Sequence, residues 1–252
     1  MASSSFYAEA KLNEQDVMKV DYEVTHKYLD KDPNNILSGE MIVIGDSYAM
    51  LLAQHSNANF NYIVHQGYTV DKIYAEFLPL IQPNRYKYGY VFIGANDYMR
   101  QTNLNEFREF LQRIVDDLKS KGMQVIFSNY SEPKFDVIDE RLLNHNPVPC
   151  FFYDMIIKDI VLKNSLIYVD MRDILNEYGY YPNDFIHPTS DFYPPLIRKV
   201  EDRIMEDKSD KNMPNYESYF KSRLTTELSE YQGMIKDVNS FIDGSYSNID
   251  IK

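Results

Sequence analysis

The sequence predicts an α/β domain in which helices cover both faces of a parallel sheet. Two observations carry that expectation. Five short runs are almost continuously apolar and rich in Val, Ile, Phe or Tyr: 41–45 (MIVIG), 61–65 (NYIVH), 89–94 (GYVFIG), 123–128 (MQVIFS) and 166–170 (LIYVD). Strands covered on both faces read this way. Between the runs lie segments with helical spacing, and strand–helix alternation joins neighbouring strands in parallel. Such crossovers are right-handed, and ligands of such sheets lie beyond the carboxyl ends of the strands.

Taken in order, the first strand runs into Gly45-Asp46-Ser47 and a short helix over 47–55. The second leads through Gly67 to a helix over 70–80, ended near Pro83. The third opens into Gly94-Ala95-Asn96-Asp97, which reads as a loop. The longest helix spans 104–121: Leu104, Phe107, Phe110, Leu111, Ile114, Val115 and Leu118 follow the 3.6-residue period, and Gly122 suits its C-terminal cap. After the fourth strand, residues 129–150 contain three prolines and read as a surface excursion near the same edge. A helix over 151–163, the fifth strand and a last helix from about Pro195 to Met205 complete the domain, proline being suited to a first helical turn.

This places a catalytic-sized domain at 40–206, flanked by two extensions. Residues 1–39 are polar, with a weak helical pattern around 13–29 and a turn at Asp32-Pro33-Asn34-Asn35. Residues 207–252 begin as a linker and then show helical spacing over 215–242, through Tyr219, Phe220, Leu224, Leu228, Tyr231, Ile235, Val238 and Phe241. That pattern reads as a helix packed on the domain; a helix for self-association, making a homo-oligomer, is the sharper alternative.

Composition narrows the function. The 252 residues, 44% of them hydrophobic, can build one substantial core. A net charge of −12 opposes general attraction to nucleic acid or anionic lipid. Cys150 is the single cysteine, so the chain forms no intrachain disulfide and no ordinary thiolate zinc site. No apolar run reaches 18 residues, so no transmembrane helix is expected. The N-terminus MASSSFYAEA lacks the basic and apolar regions of a leader. A leader already removed would leave the same sequence, so the compartment stays open.

Three segments and one glycine fall at predicted strand ends or in a late loop: Gly45-Asp46-Ser47, Gly67, Gly94-Ala95-Asn96-Asp97 and Asp184-Phe185-Ile186-His187. Singly, each reads as a turn, cap or surface loop. Together they hold what acyl transfer by serine requires: a nucleophile, a base, a carboxylate to orient that base, and donors for an oxyanion. Ser47 stands at a predicted helix N-terminus, which favours negative charge. Asp184 and His187 share a loop, Asn96 offers an amide donor, and Gly67 offers an unobstructed N–H. Asp46 suits the turn and the helix start. Asp97 suits either the orienting of Asn96 or a helix cap. Tyr48, Tyr68, Tyr98 and Tyr193 lie near these blocks and could line a cleft or fill the core. His26, His55, His65 and His145 read as scattered surface or core residues.

Rival sites lack their marks. Gly-x-x-x-x-Gly-Lys-[Ser/Thr] and Gly-x-Gly-x-x-Gly are absent from the first strand-to-helix turn, and His-Glu-x-x-His does not occur. The serine also lacks a Gly-x-Ser-x-Gly elbow, which disfavours the ordinary α/β-hydrolase fold.

The order Gly45-Asp46-Ser47, Gly67, Gly94-x-Asn96-Asp97, Asp184-x-x-His187 resembles the SGNH hydrolase family, also called GDSL. Over roughly residues 41–205 the resemblance implies a flavodoxin-like three-layer α/β/α sandwich with a five-stranded parallel sheet. It implies a Ser47–His187–Asp184 triad and an oxyanion hole made by the N–H groups of Ser47 and Gly67 with the Asn96 side chain. It implies a serine esterase that removes small acyl groups, acetyl first, from a carbohydrate or other small ester, with no metal or organic cofactor. Two other readings stay open: an O-acetyltransferase acting on cell-wall or polysaccharide sugars, and a non-catalytic glycan- or partner-binding domain of the same fold.

Overall fold

A computed structural model describes residues 39–56, 58–128, 150–180 and 186–205. The expectations for the two extensions, for the excursion after the fourth strand and for Asp184 lie outside these residues. So do His26 and His145.

Five strands form one parallel sheet: β1 (Met41–Gly45), β2 (Asn61–Val64), β3 (Tyr88–Phe92), β4 (Gln124–Ser128) and β5 (Ile167–Val169), in the order β2-β1-β3-β4-β5. All of β1 and β3 is buried, as the unbroken apolar runs require. The chain steps from β1 outward to β2, then returns past β1 to β3 and continues the other way. Right-handed crossovers under that order place the helix after β1 on one face and the next three connections on the other. The packing agrees. Helix α1 (Ser47–His55) touches the C-terminal helix α7 (Tyr193–Met205). On the opposite layer, the short α2 (Val70–Lys72), α4 (Leu104–Ser120) and α5 (Cys150–Asn164) pack in succession. The result is the three-layer α/β/α sandwich.

Helix α4 shows how sequence produces its element. Asn103 caps it, accepting from the N–H groups of Asn105 and Glu106 at 2.9 and 3.3 Å. Its apolar stripe buries Leu104, Phe107, Leu111, Ile114, Val115 and Leu118, while Phe110 stays half-exposed beside Tyr74. A cap of this kind contributes about 1 kcal/mol.

The structure departs from the sequence reading in four places. The helix expected over 70–80 is composite: α2 passes into a π-helical turn (Ile73–Phe77) and then a 3-10 turn (Leu78–Leu80) containing Pro79. Gly94-Ala95-Asn96-Asp97 is not a loop, because Gly94 is the N-cap of a short helix α3 (Ala95–Arg100). A second short helix, α6 (Arg172–Tyr178), follows β5. Helices of six or seven residues are too short to display a period. Helix α7 begins at Tyr193, two residues before the expected start, with Pro194 and Pro195 in its first turn. Among the described residues no helix is long and apolar enough to cross a membrane.

Candidate active site

The sheet order reverses at β1, which has β2 on one side and β3 on the other. A crevice outside the strand ends opens at such a point. Ser47 follows β1 and Asn96 follows β3, so both sequence-predicted residues stand at its rim.

The β1–α1 corner is tight because Gly45 permits it. A Cβ on Gly45 would lie 2.3 Å from the Phe92 carbonyl oxygen and 2.8 Å from its Cβ. No other residue lets the end of β1 lie this close to β3. Asp46 then caps α1, its Oδ1 accepting from the Tyr48 N–H at 3.0 Å. Ser47 is the first residue of the helix and is half-buried. The helix dipole therefore favours negative charge beside its hydroxyl.

The β3–α3 corner supplies the amide. Asn96 is half-buried, and its Nδ2 donates to Asp46 Oδ2 at 3.1 Å. An amide nitrogen has two hydrogens, so this contact leaves one for a ligand. Asp97 does not orient Asn96. Successive residues of a helix point in directions about 100° apart, and Asp97 turns inward, with 0% exposure. Its two carboxylate oxygens accept from the Val70 N–H at 3.1 and 3.2 Å. That N–H opens α2, so Asp97 caps a helix from another element. The same contact anchors the loop containing Gly67, a left-handed position at φ +76° that favours glycine.

The third component arrives from the far end of the chain. His187 Nε2 lies 2.8 Å from Ser47 Oγ. Downstream, the loop is fastened to α6: Pro188 bridges to Tyr180, the Thr189 N–H donates to the Gly179 carbonyl at 3.1 Å, and Thr189 Oγ1 donates to the Tyr178 carbonyl at 3.1 Å. Upstream, the Tyr48 hydroxyl donates to the Ile186 carbonyl. Ser47, Asn96 and His187 are thus brought to one place, with Gly67 on the neighbouring loop, and Asp184 lies outside the described residues.

The electrostatics centre on two buried carboxyls. Burial pushes Asp46 from the ordinary 3.8 up to about 6, against the Tyr48 N–H, the nearby His187 and the Asn96 amide, all of which favour its ionised form. Burial pushes Asp97 up to about 7, against the Val70 N–H and the Thr102 side chain, and the charges of Asp46 and Asp71 raise it further.

The other candidates separate cleanly. Tyr98 and Tyr193 are buried and fill the core; Tyr98 meets Tyr153 edge-on at 6.1 Å between ring centroids. Tyr68 stays half-buried beside Gly67, stacked between His65, 4.0 Å away, and Phe77. His55 stacks against Tyr193, and burial lowers its pKa. Two contacts of the site leave no mark in the sequence: the reach of Asp46 to Asn96 and of Tyr48 to Ile186. Each joins elements far apart in the chain, and no local pattern records such a pair.

Known proteins share this fold. The family model described as GDSL-like lipase/acylhydrolase matches residues 44–193. No curated protein matches the sequence. Several solved structures share the fold. A Bacteroides fragilis protein described as a candidate acylhydrolase superposes with a TM-score of 0.57 at 15% identity, over 73% of this chain and 93% of its own. The acetylxylan esterase Axe2 of Geobacillus stearothermophilus, in a catalytic mutant, gives 0.50 at 19% identity, over 69% and 98%. The psychrotrophic esterase EstA of Pseudoalteromonas gives 0.50 at 16%, over 66% and 97%.

Proposed function

This chain belongs to the GDSL-like lipase/acylhydrolase family, and from that premise we propose that it is an esterase for small acyl groups, acetyl first among them, with Ser47, His187 and Asp184 as its catalytic residues. The observation that carries the reading is the 2.8 Å contact between Ser47 Oγ and His187 Nε2. It joins residues from opposite ends of the domain at the switch point of the sheet. The fold shared with an acetylxylan esterase makes acetylated carbohydrate the first substrate to test.

In this reading the steps are those of acyl transfer by serine. Ser47 Oγ attacks the ester carbonyl carbon while His187 Nε2 takes the hydroxyl proton. That role needs the imidazole neutral, with its own proton on Nδ1. Asp184, three residues earlier in the chain, holds that Nδ1–H and stabilises the imidazolium. The carbonyl oxygen becomes an oxyanion, received by the N–H groups of Ser47 and Gly67 and by the second hydrogen of the Asn96 amide. Asp46, which occupies the first hydrogen of that amide, fixes its direction. Collapse of the intermediate expels the alcohol, protonated by His187. Water then attacks the acyl-enzyme, His187 acting as base, and the acid leaves as Ser47 regains its proton.

The test is Ser47→Ala assayed on p-nitrophenyl esters of increasing chain length and on acetylated xylan. Turnover should vanish while the circular dichroism spectrum and melting temperature persist; wild-type activity in this variant would refute the triad. Acetate release without an added acceptor supports the esterase reading. Transfer to an added oligosaccharide would mark an acyltransferase, and activity confined to long chains would remove the acetyl preference.

A further inference from the structure

The residue after the nucleophile departs from the family's GDSL signature. Where that signature has leucine, this chain has Tyr48. Leucine at this position could only pack. Tyrosine brings a hydroxyl, and a buried tyrosine hydroxyl generally finds a partner. Tyr48 is 3% exposed, in the first turn of α1. Its hydroxyl donates to the Ile186 carbonyl, 138 positions along the chain. That carbonyl belongs to the peptide unit that enters His187. The Tyr48 ring also lies beside the imidazole, 5.7 Å between centroids and tilted by 45°.

The loop is therefore gripped on both sides of His187. Downstream, Pro188 and Thr189 tie it to α6 and the segment after it. Upstream, Tyr48 ties it to the helix that begins with Ser47. The downstream ties set where the loop lies against the domain. The upstream contact refers the position of the base to the nucleophile's own helix, alongside the direct approach of His187 to Ser47. A base must meet its nucleophile within hydrogen-bond reach, and a misplacement of about 1 Å can cost about 100-fold in rate.

We infer that Tyr48 is a positioning residue for His187, its hydroxyl clamping the loop of the base onto the helix of the nucleophile. This rests on the reading of Ser47 and His187 given above. Its neighbour Asp46 grips Asn96, so the two residues flanking Ser47 each hold a different partner of the nucleophile.

The experiment compares Tyr48→Phe with wild type and Ser47→Ala on p-nitrophenyl acetate. Phenylalanine keeps the ring and removes the donor. We expect kcat to fall about tenfold or more, KM to change less than about twofold, and labelling of Ser47 by a phosphonate to slow in parallel. A second measurement covers a variant that fails to fold. A fluorinated tyrosine at position 48 loses its donor once its phenol ionises, and the phenolate absorbance of the folded protein fixes the pH at which that happens. The fluorinated residue should add a descending limb to the kcat profile that wild type lacks. Wild-type kcat in Tyr48→Phe, or a fluorinated protein with no new limb, overturns the inference. If Ser47→Ala stays active, the underlying reading fails and this one with it. If Ser47→Ala is silent while Tyr48→Phe behaves as wild type, only the role of Tyr48 fails.

Discussion

Helix α5 and the carboxyl edge of the sheet both bury aspartates, and they treat them differently. On α5, Asp154 is matched by Lys158 at 2.5 Å, one turn along the same helix. Asp159 is matched by Arg108 from α4 and by Lys163, the latter at 3.0 Å. These are charges compensated by cations. At the sheet edge, Asp46 and Asp97 are as deeply buried, with 1% and 0% exposure. They are held there by backbone and side-chain N–H groups and by the Thr102 side chain, with no lysine or arginine paired to either among the described residues. A cation at this edge would neutralise the site. Neutral donors instead leave the carboxyls free to orient other groups, at the cost of raised pKa values. The comparison teaches that one set of buried acids joins helices, while the other aims the parts of the candidate active site.

Breaking the first region should cost stability and spare chemistry. Lys158→Ala leaves Asp154 buried without its cation, and we expect a loss of about 3–5 kcal/mol in denaturant unfolding. The kcat of the folded fraction should hold; a parallel fall in kcat would erase the contrast between the regions.

Breaking the second should do the reverse. Asn96→Ala should lower kcat by roughly 10²–10³ with little change in melting temperature, as loss of an oxyanion donor does. An effect confined to KM would reassign the amide to ground-state binding. Asp46→Ala removes both the cap of α1 and the brace on Asn96. It should lower kcat by about 10-fold or more and cost about 1 kcal/mol of stability. The sharper measurement is the double variant, which should be hardly slower than Asn96→Ala alone, because the brace has nothing left to aim. Additive losses would separate the two residues.

The last prediction concerns pH dependence. Asp46 and Asp97 ionise near 6 and 7 in the folded protein, against the ordinary 3.8. Between those limits the folded state holds more protons than the unfolded one, so these groups make stability fall as pH rises from about 4 to about 7. Thermal melts across that range should show the slope. Asp97→Asn, which still offers an oxygen to the Val70 N–H, should flatten its upper part. An unchanged slope would mean that Asp97 titrates alike in both states.

Much of this is legible in the chain itself. The buried strands announce themselves as continuous apolar runs, and α4 by its 3.6-residue stripe. A parallel sheet then puts every strand end that leads into a helix at one edge, which is why Ser47 and Asn96 could be placed together. Other features left no such trace. The π-helical turn at Ile73–Phe77 and the short helices α3 and α6 span too few residues for a period to appear. The choice of Asp46 over Asp97 as the brace for Asn96 depends on side-chain direction at two corners and on how far apart those corners lie.

By itself the sequence determined the layer architecture, the edge at which chemistry could occur and the residue types available there. Periodicity and burial are local properties of a chain, and they propagate into topology through handedness. Tertiary structure alone decided which of those residues meet. The 2.8 Å approach of His187 to Ser47, the amide of Asn96 turned by Asp46, and the Tyr48 hydroxyl on the loop of His187 each join segments that are remote in the chain. Such contacts arise only when packing fixes distance and direction together, and no short stretch of sequence contains that information.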